Sequence, residues 1–276
     1  MLEISCLVDN TAQQGSPFWA EHGLAFVIKT PDRQILFDTG QSGVVLEHNA
    51  ALMGIELNRT DALVLSHAHF DHTGGLERLM THVFPGLPLF ANADFFQERF
   101  HTVNGQPESI GIPISREKIT NFFDIHLEKM PAGVVPGIWT TGEITDRSEF
   151  EGRSKHHVIR SKGEWQPDPY LDDLSLVLDT REGLILLCGC CHAGLLNTLA
   201  HVQKIFNRPV KTIIGGTHLI SASTENLKHS IDILNKYDEI QLFPNHCTGE
   251  QARLTLISAL GGRVHSCPAG TVLKFE

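Results

Sequence analysis

Two patterns of apolar residues alternate along this chain. Short, nearly unbroken apolar runs bounded by Gly, Pro or Asp read as strands, and longer segments with apolar residues every three or four positions read as helices. Residues 23–29 (GLAFVIK) and Gln34–Phe37 (QILF) flank the turn Thr30-Pro31-Asp32 and predict a hairpin. Asp38-Thr39-Gly40 breaks the second run, and helical spacing follows over 44–53. The uniformly apolar 62–65 (ALVL) fits a strand covered on both faces. Thr73-Gly74-Gly75 opens a helix through Leu76, Leu79 and Met80, and Pro88–Ala91 returns to strand.

Residues 94–166 mix Pro, Gly and charge without a period and read as loops and insertions over a core. From 174 the pattern sharpens. Residues 174–178 and Leu184–Cys188 predict a second hairpin, followed by helix 193–206, strand 210–214, helix 224–236, strand 239–243, helix Glu250–Leu260 and strand Val272–Phe275. Hairpins followed by βα alternation predict a single domain over 1–276, a four-layer sandwich of helix, sheet, sheet and helix. Polar residues cluster just after strand ends at Asp38, His67 to His72, His192, His218 and His246. Layered α/β folds place ligands at that edge, so these five segments are expected to converge on one rim.

Composition narrows the partners. A net charge of −10 without a Lys/Arg cluster argues against nucleic acid. No stretch reaches the roughly 18 apolar residues of a membrane span, and the first residues, MLEISC, lack a secretory pattern. Six unevenly spread cysteines do not form a disulfide framework in 276 residues, so reduced thiols in a cytoplasm are expected. Oligomeric state is open.

The candidate chemistry lies in Ser66-His67-Ala68-His69-Phe70-Asp71-His72. Residues two apart in extended chain point the same way, so His67 and His69 can grip one ion. Asp71 and His72 follow at a helix start and can address a second. Imidazole and carboxylate suit zinc, iron and manganese.

This run resembles the His-x-His-x-Asp-His signature of the metallo-β-lactamase superfamily. Asp38-Thr39-Gly40 and Thr73-Gly74-Gly75 are similar to further motifs of that family, and the likeness in segment order covers about 20–275. Ala20 to Leu24, Pro136 to Ile144, Gly189 to Gly194, Gly215 to Leu219 and His246 to Gly249 resemble the branch of dihydropterin–ribofuranosylaminobenzene phosphate synthases and uncharacterised metal-dependent hydrolases. The resemblance implies the αββα sandwich and two divalent metal ions, expected to be zinc with iron or manganese as alternatives. It places His67 and His69 on the first metal, Asp71 and His72 on the second, and His192 and His246 among the later ligands. The family's bridging carboxylate is missing, because the matching place reads Cys188-Gly189-Cys190-Cys191-His192. Either Cys190 takes that position and Asp172 or Asp173 completes the first metal, or His192 completes it and His218 replaces the bridge.

The smaller signals have plainer readings. Cys188 is a buried strand residue, and Cys191 and Cys247 alternate away from the ligands. Asp38 orients ligand loops. His22 is a loop histidine or lines the substrate pocket, and His156-His157 face solvent. The implied activity is hydrolysis of a phosphoester, ester or lactone in a small, possibly phosphorylated molecule by a metal-bound hydroxide, between ions about 3.5–4 Å apart. Asp71 passes the proton and is expected, with His218, to be catalytic. Two alternatives stand beside it: a synthase condensing a pterin diphosphate with an aminobenzene ribosyl phosphate, and an iron-binding redox protein of the same fold.

Overall fold

In the computed structural model, which describes residues 1–237 and 239–276, the chain forms two compact units. The first comprises Met1–Glu128, Ser154–Asp172 and Pro268–Phe275. The second comprises Lys129–Arg153 and Asp173–Cys267, with the terminal Glu276.

A seven-stranded mixed sheet organises the first unit. Its order is Val272–Phe275, Leu2–Val8, Ala25–Lys29, Gln34–Phe37, Ala62–Val64, Pro88–Ala91 and Asp124–Leu127. The expected hairpin of Ala25–Lys29 and Gln34–Phe37 is antiparallel, whereas Gln34–Phe37, Ala62–Val64 and Pro88–Ala91 run parallel. Leu7, Val27, Leu36, Leu63 and Leu89 meet the helices Val44–Leu52, Leu76–Leu79 and Arg116–Phe122 in one core. Phe26, Ile28, Ile35 and Phe37 are buried as well, which explains why these strands show no polar alternation. Leu2–Val8, which the apolar pattern did not single out, lies inside the sheet between Val272–Phe275 and Ala25–Lys29.

In the stretch 94–166, expected as loops and insertions, strands and one helix account for just under half of the residues. Four of its strands build a second, antiparallel sheet in the first unit, with the order Glu164–Pro167, His157–Ser161, Arg99–Val103 and Gln106–Ser109. Both outer strands are exposed along their whole length. Backbone pairing rather than burial holds them, so they leave no apolar period to read.

The second unit contains a six-stranded sheet in the order Gln241–Asn245, Val210–Gly216, Leu184–Cys188, Ser175–Asp179, Ile138–Thr140 and Gly133–Val135. Leu184–Cys188, Val210–Gly216 and Gln241–Asn245 are parallel neighbours, with Cys188 opposite Gly215 and Gly215 opposite Pro244. Helices Leu195–Phe206, Thr224–Leu234 and Glu250–Leu260 cover it through Leu199, Val202, Ile231, Leu234 and Leu256. Among the described residues no helix is long and apolar enough to cross a membrane.

The Gly74-Gly75 pair has a steric cause. A Cβ on Gly74 would collide with the carbonyl oxygen of Gln41 and stand 2.6 Å from that of Phe70, and one on Gly75 would collide with the oxygen of Thr39. The loop after Gln34–Phe37 thus lies directly on the turn that follows the histidine run. Gly74→Ala is expected to cost about 1–3 kcal/mol of stability by overpacking. A denaturation midpoint equal to that of the parent would count against this close approach.

Candidate metal centre

The parallel strands Gln34–Phe37 and Ala62–Val64 end side by side, and the loops leaving them are tied together. The Asp38 N–H donates to the Val64 carbonyl at 2.9 Å. The Asp38 carboxylate then accepts from the Ser66 N–H at 2.7 Å and from Ser66 Oγ at 2.7 Å. A carboxylate only accepts, so the 2.7 Å contact to His72 Nδ1 fixes that nitrogen as a donor. Ser66 Oγ, having given its proton to Asp38, accepts from His67 Nδ1 at 2.9 Å. Asp38 and Ser66 therefore set the tautomers of His67 and His72 and leave each Nε2 with the lone pair a metal requires. Asp38, at φ 59° and fully buried, ties the histidine loop in place by hydrogen bonding. Ser66 plays a part that the sequence pattern did not reveal.

His67 Nε2 lies 3.1 Å from His69 Nδ1. Two nitrogens on one tetrahedral zinc at about 2.05 Å would stand about 3.3 Å apart, so the donor pair fits the implied ion. His69 is the N-cap of the short helix Phe70–Thr73, which carries Asp71 and His72 in its first turns. Burial, reinforced by His157, Arg99 and His72 and opposed by Asp71, holds the His69 pKa well below its usual range. At neutral pH its ring is therefore the neutral form that ligates. Asp71 Oδ2 lies 3.5 Å from the buried His72 Nε2 and 3.3 Å from Nε2 of His22, whose side chain is 57% exposed. His22 thus stands between this carboxylate and solvent.

The loop has a second brace. Asp172 Oδ2 accepts from the Ala68 N–H at 2.8 Å, between the two histidines, while its Oδ1 pairs with Arg99 at 2.7 Å. Arg99 is fully buried and also contacts Asp168 and Asp94, each at 3.2 Å. His157 does not face solvent as expected. It is half-buried, with Nδ1 2.7 Å from the Tyr170 hydroxyl and its ring 5.3 Å edge-on from that of His69, because strand pairing with Arg99–Val103 turns it inward. His156, one residue earlier, is exposed.

In the second unit the three parallel strands Leu184–Cys188, Val210–Gly216 and Gln241–Asn245 bring the His192, His218 and His246 loops out at one edge. His192 Nδ1 donates to the Gly152 carbonyl at 2.7 Å, making Nε2 the lone-pair nitrogen, and the Ala193 N–H donates to Asp173 at 2.9 Å. The rings of His192 and His218 lie 4.4 Å apart. Cys247 does not alternate away as expected: its Sγ, the Sγ of Cys190 and a nitrogen of His246 lie within 4.8 Å of one another. Cys191 turns into the helix-covered core beside Cys188, with its Sγ 3.3 Å from Thr198 Oγ1. Its hydrogen bond with Cys188, together with burial, pushes the Cys191 thiol well above its usual range, so it stays protonated.

Removing the Asp38 carboxylate leaves His67 and His72 without a fixed tautomer. Asp38→Ala is expected to weaken metal binding about 10–100-fold, the usual loss when such a support is removed. Isothermal titration of metal-stripped protein measures this, and an unchanged Kd would show that Asp38 is not the organiser.

A family model described as the metallo-beta-lactamase superfamily matches residues 19–159. The chain is 31% identical to the 7,8-dihydropterin-6-methyl-4-(beta-D-ribofuranosyl)-aminobenzene-5'-phosphate synthase of Methanocaldococcus jannaschii, with 99% of this chain and 97% of that protein covered. An uncharacterized protein of the same organism is 30% identical, with 95% of this chain and 96% of that one covered. Among solved structures, a metal-dependent hydrolase of the beta-lactamase superfamily matches with a TM-score of 0.84 at 25% identity, and 100% of both chains is covered. A family model spanning half the chain, joined by identity along nearly all of it, makes this protein a member of the metallo-beta-lactamase superfamily, whose mixed α/β fold of several sheets it has.

Proposed function

We propose that this protein is a metal-dependent hydrolase acting on a phosphoester, ester or lactone of a small molecule. The observation that carries the reading is the relay from Asp38 through Ser66 to His67 and His72, which presents lone-pair nitrogens beside His69 and Asp71. In this reading His67, His69, Asp71 and His72 hold divalent ions, with His192 and His246 as further ligands. The hydrogen bond from His192 to Gly152 supports its role, since it has the form that second partners of ligating histidines take. Asp172 and Asp173 each accept from a backbone N–H of a histidine loop, which favours His192 over either of them as a ligand. Zinc suits the donor set, and iron or manganese is the alternative.

When bound, divalent ions supply acidified water and charge neutralisation at neutral pH. The chain's own groups supply the rest. Asp71 accepts a proton and, through His22 at 3.3 Å, has an exit to solvent. His218, half-buried and beside His192, is a second group able to hold a proton or orient the substrate.

A second reading draws on the 31% identity to the Methanocaldococcus synthase, which runs the length of both chains. Here the same residues would orient a pterin diphosphate and an aminobenzene ribosyl phosphate for displacement of diphosphate. Elemental analysis of the protein as purified, followed by phosphodiester, phosphomonoester and lactone assays, separates the readings. Bound divalent metal with turnover supports the hydrolase. Metal without turnover, but with diphosphate released from the pterin pair, supports the synthase. Protein that binds no metal sinks both, and stoichiometric iron with a visible absorption band but no turnover indicates redox chemistry.

A further inference from the structure

Two thiols and an imidazole meet at the ends of two strands in the second unit. Cys190 follows Leu184–Cys188, while His246 and Cys247 follow Gln241–Asn245. Their ligating atoms lie within 4.8 Å of one another. Two sulfurs on one tetrahedral zinc at about 2.3 Å stand about 3.8 Å apart, a difference that small side-chain rotations close. Cys190 and His246 are buried and Cys247 is half-buried, so the group is sheltered but reachable.

The approach of the two loops has an identifiable cause on the strand between them. A Cβ at Gly216 would stand 2.6 Å from Cys247 Sγ and 3.4 Å from Cys190 Cα. Only a residue without a side chain leaves the Cys247 sulfur room there. In the protonated state Cys247 Sγ donates to the Cys190 carbonyl at 3.5 Å. The adjacent Cys191 has the opposite setting, buried in the hydrophobic core against Cys188 and Thr198.

We propose that Cys190, His246 and Cys247 form a thiolate-rich cation site that takes a borderline ion such as zinc or iron(II) and discriminates against manganese and magnesium. This rests on the metal-dependent reading above and adds two sulfurs to it. Sulfur replaces the carboxylate oxygen that the histidine- and aspartate-rich pattern leads one to expect, and soft donors select against hard ions.

The test is cobalt(II) substitution of the full-length protein, read by absorption and by elemental analysis. The expected result is a sulfur-to-cobalt charge-transfer band in the near ultraviolet. That band weakens in Cys247→Ser and disappears in the Cys190→Ser/Cys247→Ser double variant. Thermal midpoints check folding; if the double variant does not fold, Cys247→Ser, at a half-buried position, decides alone. Cobalt bound without the band, or a band unchanged in Cys247→Ser, overturns the thiolate site and leaves the metal-dependent reading intact. Protein that takes up no cobalt overturns the thiolate site, and absence of zinc, iron and manganese as well overturns the functional reading.

Discussion

His69→Ala and Asp71→Ala are each expected to abolish metal retention and turnover together while the fold persists. His69 Nδ1 is 3.1 Å from His67 Nε2, so removing it takes away half of a ready-made donor pair. Asp71 supplies the carboxylate oxygen beside His72, and without it that end of the loop offers only imidazole nitrogen. In the proposed reading an ion held here would supply acidified water, so its loss should lower turnover by at least about a thousand-fold. Neither side chain belongs to the apolar core of its unit, and the cost in stability is small by comparison. Elemental analysis, turnover and near-ultraviolet circular dichroism are read together on the same preparations. A variant that keeps two ions per chain would show that the ligand assignment is wrong.

Arg99→Ala is expected to have the largest effect on stability. The guanidinium is fully buried and contacts two fully buried carboxylates, Asp168 and Asp172, as well as Asp94. Removing one member of such a group leaves charge buried without compensation, at a cost of about 3–5 kcal/mol. Arg99→Lys should recover little, because one ammonium cannot reproduce the planar fork that reaches three carboxylates. The effect should extend to the metal. Asp172 uses its other oxygen to hold the Ala68 N–H between His67 and His69, so a displaced Asp172 loosens that loop. Urea denaturation and metal titration of the two variants measure both consequences, and parent-like midpoints would show that the cluster is not structural.

Arg99 also marks the limit of what the sequence could reveal. The histidine run, the hairpin before it and the three strand-to-loop junctions of the second unit were legible, because local period and composition signal them. Burial on both faces makes strands such as Ala62–Val64 uniformly apolar, and that is a strong local cue. Arg99, by contrast, sits in the polar segment Gln97-Glu98-Arg99-Phe100-His101, and Asp168 and Asp172 lie far along the chain. No spacing rule links them. The same applies to His157, whose place beside His69 depends on strand pairing with Arg99–Val103. Ser66 was visible as the first letter of the run, yet its role needed the parallel register of two strands to bring Asp38 within 2.7 Å. Leu2–Val8 was overlooked for another reason. Glu3 and Ser5 interrupt its apolar run, and its neighbours come from opposite ends of the chain.

The small antiparallel sheet has a consequence for behaviour at high protein concentration. Its outer strands carry Pro107 and Glu108 on one side and Glu164 and Pro167 on the other. Proline lacks the N–H that a docking strand would need, and glutamate repels a like-charged edge. The two inner strands, one of which carries His157, are thereby screened from edge-to-edge aggregation.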